Sequence, residues 1–264
     1  MVRRLVDAGN TRIRWLDVAD GEWLGQGSVV HRGRELGAAL DEAWGGLQAP
    51  AGVIVGAVLP APAREALAGW VEARWGVAPE WVQTRAVGWG VRCAYADPSR
   101  LGVDRWAALV AARHRGPGAK VVLDAGSACT LDLLAADGTH LGGAISPGLE
   151  LMRQALESET GLDPMQIDWN EAALPAASTT EAVAAGAMQA LAGLAAAGWQ
   201  WLQGQGPGGL ALLTGGDAGR LAPWLPGQWQ VVPELVLEGL EIMATTPAGA
   251  TDRPRGSPAG GAAA

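Results

Sequence analysis

Two stretches of the chain share one grammar. "LVDAGNTRIRWLDVADG" begins at residue 5 and "VVLDAGSACTLDLLAADG" at residue 121. Each reads as a buried strand, a tight Asp-Ala-Gly junction, a second strand and an Asp-Gly turn. The turn Asp follows the junction Asp by thirteen residues in both, Asp7 to Asp20 and Asp124 to Asp137. Such a repeat, one near the start of each half, points to a duplicated unit.

The surrounding pattern extends the repeat. In the first half, strands are expected near 2–7, 12–18 and 22–30, then a helix over 34–44 and a buried strand in "GVIVGAVL". A helix in "PAREALAGWVEARWG" follows, starting at Pro62 and stopped by Gly76. After the irregular "YADPSRLG", "VDRWAALVAARHRG" reads as a helix with Asp104 and Arg105 in its first turn. In the second half, "KVVLDAG", "CTLDLLAADG" and "HLGGAIS" give three strands and "PGLELMRQALES" a helix. "STTEAVAAGAMQALAGLAAA" is the longest helical pattern, with Ser178 and Glu181 spaced as a capping box. Strands in "GLALLTGG" and near "WQVVPELVL" complete it.

Three strands, then helix, strand and helix, occurring twice, predict an α/β fold of two similar domains flanking a cleft. The expected domains are 1–116 and 117–244, joined near "RGPGA" at 115–119. Residues 245–264 have too little bulky apolar surface to order themselves and are expected to form a flexible tail.

Composition narrows the class. Half the residues are apolar (49%), enough for a substantial core, and the formal charge is −8 without a long Lys/Arg cluster. That balance argues against a nucleic-acid footprint. Thirteen tryptophans and no phenylalanine make Trp the bulky core aromatic. Cys93 and Cys129 lack metal or redox spacing, which fits a reducing compartment. His31, His114 and His140 have no partners at ligand spacing. The start of the chain does not read as a signal peptide, and no membrane span is expected.

A carboxylate at a strand end, beside Gly and short polar residues, suits a cation and phosphate. Gly9 lets phosphate approach the backbone, Asn10 and Thr11 add donors, and Arg14 adds positive charge if it faces the cleft. Mg²⁺ keeps several waters where phosphate supplies ligands, so a solitary Asp7 suffices. Taken alone the stretch is equally an Asx turn; the second copy, "DAGS", favours phosphate or metal binding. Asp104 is either a first-turn capping carboxylate or a base that deprotonates an attacking hydroxyl. Arg105 binds an anionic substrate or pairs with another carboxylate. "GGAISPG", Thr179 and Thr180, and "TGGDA" at 214–218 are each substrate contacts or ordinary connections. There is no GxxxxGK[ST], hence no support for a P-loop.

Taken in order, these segments resemble type III pantothenate kinase, of the acetate-kinase/sugar-kinase/heat-shock/actin superfamily. The resemblance runs over roughly 3–243. It rests on "DAGNTRIRW", "LGVDRWAALVAA", "VVLDAGSACTLD", "GGAISPG", "TEAVAAG", "TGGDA" and "LVLEGL". It implies two ribonuclease-H-like (actin-like ATPase) domains and ATP-dependent phosphorylation of the primary hydroxyl of pantothenate, the first step toward coenzyme A. Asp7, Gly9, Asn10 and Thr11 would form the phosphate and Mg²⁺ region, with Arg14, Ser127, Gly215 and Gly216 toward the nucleotide. Asp104 would be the general base. Arg105 would hold the pantothenate carboxylate, with Tyr95, Gly102 and Thr180 on the same side. Asp124 would serve potassium or ammonium. A cytoplasmic homodimer is implied, its partner subunit closing the acceptor pocket. Arg14 stands where many relatives carry Lys, and Ser127 where Thr is usual. The competing readings are a non-enzymatic transcription accessory factor on this scaffold and a kinase for another small hydroxy acid.

Overall fold

The computed structural model describes residues 1–249. The first half runs β1 (Arg3–Ala8), β2 (Arg12–Ala19), β3 (Glu22–Val30), α1 (Leu36–Trp44), β4 (Gly52–Ala57), α2 (Ala61–Trp75) and β5 (Glu80–Trp81). A small hairpin, β6 (Val87–Gly88) and β7 (Val91–Arg92), then leads to α3 (Val103–Arg113). The second half runs β8 (Lys120–Ala125), β9 (Ala128–Leu134), β10 (His140–Pro147), α4 (Leu149–Thr160), α5 (Thr179–Gln203) and β11 (Leu210–Thr214). It ends with α6 (Ala218–Leu221), β12 (Trp229–Val231) and α7 (Leu235–Thr245).

The two main sheets have corresponding strand orders, β3-β2-β1-β4-β5 and β10-β9-β8-β11-β12. In each, the first strand pairs antiparallel with the second and parallel with the strand that returns after a helix. The equal Asp spacing conceals a difference. Asp7 faces Arg14, seven residues on, whereas Asp124 faces Thr130, six residues on. The later turns offset this. Asp20 and Gly21 form a two-residue turn with φ of 53° and 84°, while the second turn closes one residue later, through Gly138 at φ 87°.

Alternation along the strands places the core. Leu5, Leu16, Val18 and Ile54 of the first sheet, and Val122, Leu134 and Leu212 of the second, share one cluster with α3 and α7. Their neighbours point the other way. Val6, Ile13, Trp15, Val53 and Val55 pack under α1 and α2, and Val121, Leu123, Leu131 and Leu213 pack under α5. α3 and α7 therefore lie in the layer common to both sheets. They are partly exchanged between the halves: α7, from the second, packs on β1 and β4, while α3, from the first, packs on β8 and β9 as well as on β4 of its own half. At their contact, a Cβ on Gly239 would stand 1.9 Å from the Ala107 carbonyl oxygen, so the helices meet where one has no side chain.

Trp44 and Trp106 are fully buried, and Trp15, Trp70 and Trp75 group around Trp44 with the buried Arg4 guanidinium. Ser178 caps α5, accepting from the Glu181 amide at 3.2 Å, while the Glu181 carboxylate accepts from the Ala177 amide rather than from Ser178 itself. By length and composition alone, α5 is long and apolar enough to cross a membrane, a test that a core helix also passes. Of its most apolar window, 44% is buried, against β8, β9 and β11. Most of the expected tail, 245–264, lies outside the described residues. Its beginning is held: the Trp89 indole N–H donates to the Thr246 carbonyl at 2.8 Å and its amide to Ala248 at 3.0 Å.

Candidate active site

Strand parity brings the carboxylates together. Asp7 lies two residues beyond Leu5, and Asp124 two beyond Val122, so both face the shared layer at the carboxyl ends of β1 and β8. Arg12 and Arg14 share the parity of Leu16 and Val18 and face the same way. α3 begins in that layer and carries Asp104 in its first turn, where the Asp104 Oδ1 accepts from the Arg105 amide at 2.8 Å.

A cavity of about 320 Å³ opens between the halves at this point. It brings together Asp7, Gly9, Asn10, Thr11 and Arg14 from the first hairpin, Asp104 from α3, and Asp124 and Ser127 from the second hairpin. Gly215 and Gly216, after β11, complete the set expected from sequence. Gly215 has φ 95°, and a Cβ there would stand 2.4 Å from both the Asp124 Oδ1 and the Ala125 carbonyl oxygen. Glycine is required at that position. Each junction turn is closed by its own backbone, Gly9 N–H to Arg12 and Gly126 N–H to Ala128, both at 3.1 Å. The imidazole of His31 reaches the Gly9 carbonyl at 2.8 Å, which fixes the loop after β3 on the first turn.

The electrostatics are those of crowded carboxylates. Burial pushes Asp7 up to about 7, the Asp104 charge adds to this, Arg14 opposes it, and Asp124 and Glu234 add further. Asp124 also rises to about 7, chiefly by burial and then through Asp104, again opposed by Arg14. Asp104 is raised above the usual carboxylate range by burial, against the bond from the Arg105 amide and the Arg105 charge. Among the described residues, no group of three His, Cys, Asp or Glu side chains forms a metal-holding cluster. The donor set instead suits an ion that takes one carboxylate and completes its shell with water and phosphate.

Other expected site residues are placed differently. Arg14 lines the cavity, but its guanidinium donates to Glu234 Oε2 at 2.6 Å and to the Pro233 carbonyl, across to the second half. Arg105 is outside the cavity lining; its guanidinium makes a bidentate contact with Asp132 at 2.6 and 2.8 Å and donates to the Tyr95 hydroxyl at 3.1 Å. Gly102 precedes α3 and lines a separate cavity of about 430 Å³ with Arg100, Trp81 and Arg64. Thr180 is at the start of α5 and lines neither cavity.

Sequence reading missed Arg12, Arg32, Glu150, Leu151, Asp217 and Arg220, all on the cavity wall. Arg12 was recoverable, because it lies two residues before Arg14 on the same strand face. Arg32 and Arg220 carried no local signal. A second cavity, about 380 Å³, continues past Arg12, Arg14, Gly215 and Gly216 toward Gln26, Ser28 and Glu234.

Residues 5–200 match the family model described as type III pantothenate kinase. The type III pantothenate kinase of Nitrosococcus oceani is 37% identical over 246 residues, covering 91% of this chain and 92% of its own. That of Alkalilimnicola ehrlichii is 39% identical over 242 residues, covering 91% and 96%. Among solved structures, a Sinorhizobium meliloti protein described as a 2-dehydro-3-deoxygalactonokinase superposes with TM-score 0.58 at 16% identity, covering 92% of this chain and 98% of that one. A Campylobacter jejuni protein described as a Baf family transcriptional activator gives 0.56 at 19%, covering 91% and 96%. At those identities the likeness is one of α/β fold alone. The match across most of the chain, together with relatives of this similarity, shows that the chain belongs to the type III pantothenate kinase family.

Proposed function

We propose that this protein transfers the terminal phosphoryl group of ATP to the primary hydroxyl of pantothenate, giving 4'-phosphopantothenate. The observation that carries the site assignment is the convergence of Asp7, Asp104 and Asp124 on one cavity walled by both glycine turns. The halves 1–116 and 117–244 are read as ribonuclease-H-like units flanking that cleft.

The reaction joins the pantothenate oxygen to the γ-phosphorus and breaks its bond to ADP. Asp104 orients the hydroxyl and takes its proton; the burial that raises its proton affinity makes it a stronger base than an exposed carboxylate. The turn amides of Asn10, Thr11 and Ser127 donate to phosphate oxygens, with Arg12, Arg14, Arg32 and Arg220 supplying positive charge around them. Gly215 and Gly216 leave the wall open toward the larger cavity, where the nucleoside would lie. Asp7 is the residue to hold Mg²⁺, which supplies charge neutralisation to the phosphates. Asp124 is the residue for potassium or ammonium.

Tyr95, Gly102 and Arg105 are assigned to the acceptor side. Arg105 keeps N–H donors beyond those committed to Asp132 and Tyr95. Thr180 lies away from the cavity, which fits a homodimer whose partner completes the acceptor pocket. Leu141 and Ile145 expose apolar side chains on β10, surface that such a partner would cover. ATP supply and two free thiols fit the cytoplasm.

The test is ADP release by the purified protein with ATP, Mg²⁺, potassium and pantothenate, with the product mass checked in parallel. Pantothenate-dependent ADP and a product heavier by one phosphoryl group support the reading. Turnover only with another hydroxy acid would move the substrate, and no turnover with any acceptor would leave the accessory-factor reading.

A further inference from the structure

Behind Asp104, Arg105 and Tyr95 belong to a closed ring of polar contacts whose other side chains, Asp132 and His140, the mechanism above does not use. Arg105 donates through Nε and one terminal nitrogen to Asp132, on β9 of the other half, and through the other terminal nitrogen to the Tyr95 hydroxyl. Asp132 Oδ1 also lies 2.9 Å from His140 Nε2, on β10. The Ala94 amide donates to His140 Nδ1 at 3.4 Å, and Ala94 is the residue before Tyr95. An amide donor at Nδ1 makes that nitrogen the acceptor, so Nε2 carries the hydrogen given to Asp132. The Tyr95 ring is stacked on His140, centroids 6.2 Å apart and planes within 17°.

The arrangement is buried: the side chains of Arg105, Asp132 and His140 are 6%, 3% and 0% exposed. Stability alone is a poor reason for it, because apolar residues of similar volume in such places hold a fold as well or better. A bidentate pair does fix direction. Here the fixed groups are the residue beside Asp104 and the segment carrying Tyr95. Asp132 reaches Arg105 because strand parity turns it to the shared layer, as it does Thr130 and Leu134.

We propose that Asp132 and His140 are positioning residues for the acceptor: the ring holds Arg105 and Tyr95 in the orientation that receives pantothenate beside Asp104. The proposal rests on the kinase reading and adds two residues to it. Because Asp132 already neutralises Arg105, recognition of the acceptor's carboxylate depends on where the remaining N–H groups point. Loosening the ring therefore weakens the acceptor and leaves the nucleotide alone.

Tyr95 is the one tyrosine of the chain, so tyrosine labelled with ¹³C in the ring gives a single reporter signal in the full-length protein. His140→Leu should move that signal and raise the pantothenate KM about tenfold, the effect of one charge-assisted hydrogen bond. Its kcat and its KM for ATP should stay within about twofold of the parent. His140→Gln, which restores a polar partner for Asp132, should recover much of the loss. Asp132→Asn should act in the same sense. If the missing countercharge unfolds that variant, the two His140 variants decide the matter. A folded His140→Leu protein with an unmoved Tyr95 signal and an unchanged pantothenate KM overturns the proposal alone. Parent protein that makes no phosphopantothenate overturns the kinase reading and this proposal with it.

Discussion

The hydroxyl oxygens of Thr11 and Ser127 lie 2.7 Å apart, one from each Asp-Ala-Gly turn. The two copies of the repeated hairpin thus touch through side chains at the floor of the cavity. Under the proposed function, a phosphate seated there would meet backbone amides from both halves at once. The Ser127 hydroxyl alone makes this contact.

Asp104→Asn should lower kcat by at least about 100-fold, the loss typical of a general base. The amide retains the shape and can accept from the Arg105 amide, so binding of pantothenate and ADP should change little. Steady-state kinetics and calorimetry on a folded variant check both parts. Parent-like turnover would remove Asp104 from the chemistry.

Asp7 and Asp124 titrate near 7 in the fold, against an ordinary value of 3.8. Between those values the folded state binds the additional protons, so their contribution to stability is lost as pH rises through the window. Asp124→Asn removes one of these charges. The metal-free variant should be more stable than its parent at pH 8 by about 1–3 kcal/mol, with the gain gone at pH 4. Urea melts in chelator at pH 4, 6 and 8 measure this directly.

Gly239→Ala places a methyl group where the Ala107 carbonyl now sits. Overpacking of this kind costs about 1–3 kcal/mol. Because α3 carries Asp104 at its first turn, kcat should fall together with the denaturation midpoint. An exposed helix glycine such as Gly193, with open space around it, provides the control.

Arg14→Lys exchanges a planar fork for a single ammonium and cannot hold both Glu234 and the Pro233 carbonyl as Arg14 does. The pair is partly exposed, so stability should drop by less than about 1 kcal/mol. The KM for ATP should rise severalfold with the pantothenate KM unchanged. Equal changes in both would place Arg14 outside the nucleotide side.

Strand parity and turn chemistry are local, which is why Asp7, Asp124 and the glycine turns were legible as a pair of sites. Asp104 was legible as a carboxylate in the first turn of a helix. What parity cannot reveal is which distant group a side chain meets. Arg105 was open between substrate and a carboxylate, and its partner proved to be Asp132 on the far sheet. Arg32 and Arg220 enter the cavity from loops whose course depends on the whole fold. The matched Asp spacing also misleads in detail, since the longer first loop is offset by a tighter later turn. Thr246 and Ala248, at the start of the expected tail, are held through their backbone carbonyls, which composition does not register.

The exchange of α3 and α7 has a consequence for how the molecule comes into being. The first sheet shares α3 with the second and takes α7 from the second half, and α7 lies at the end of the described chain. During synthesis that face of the first sheet has only α3 to cover it until α7 has left the ribosome. Cutting at the linker would yield a first piece without α7 and a second without α3, each with part of the shared layer missing, and neither would make a stable protein without the other.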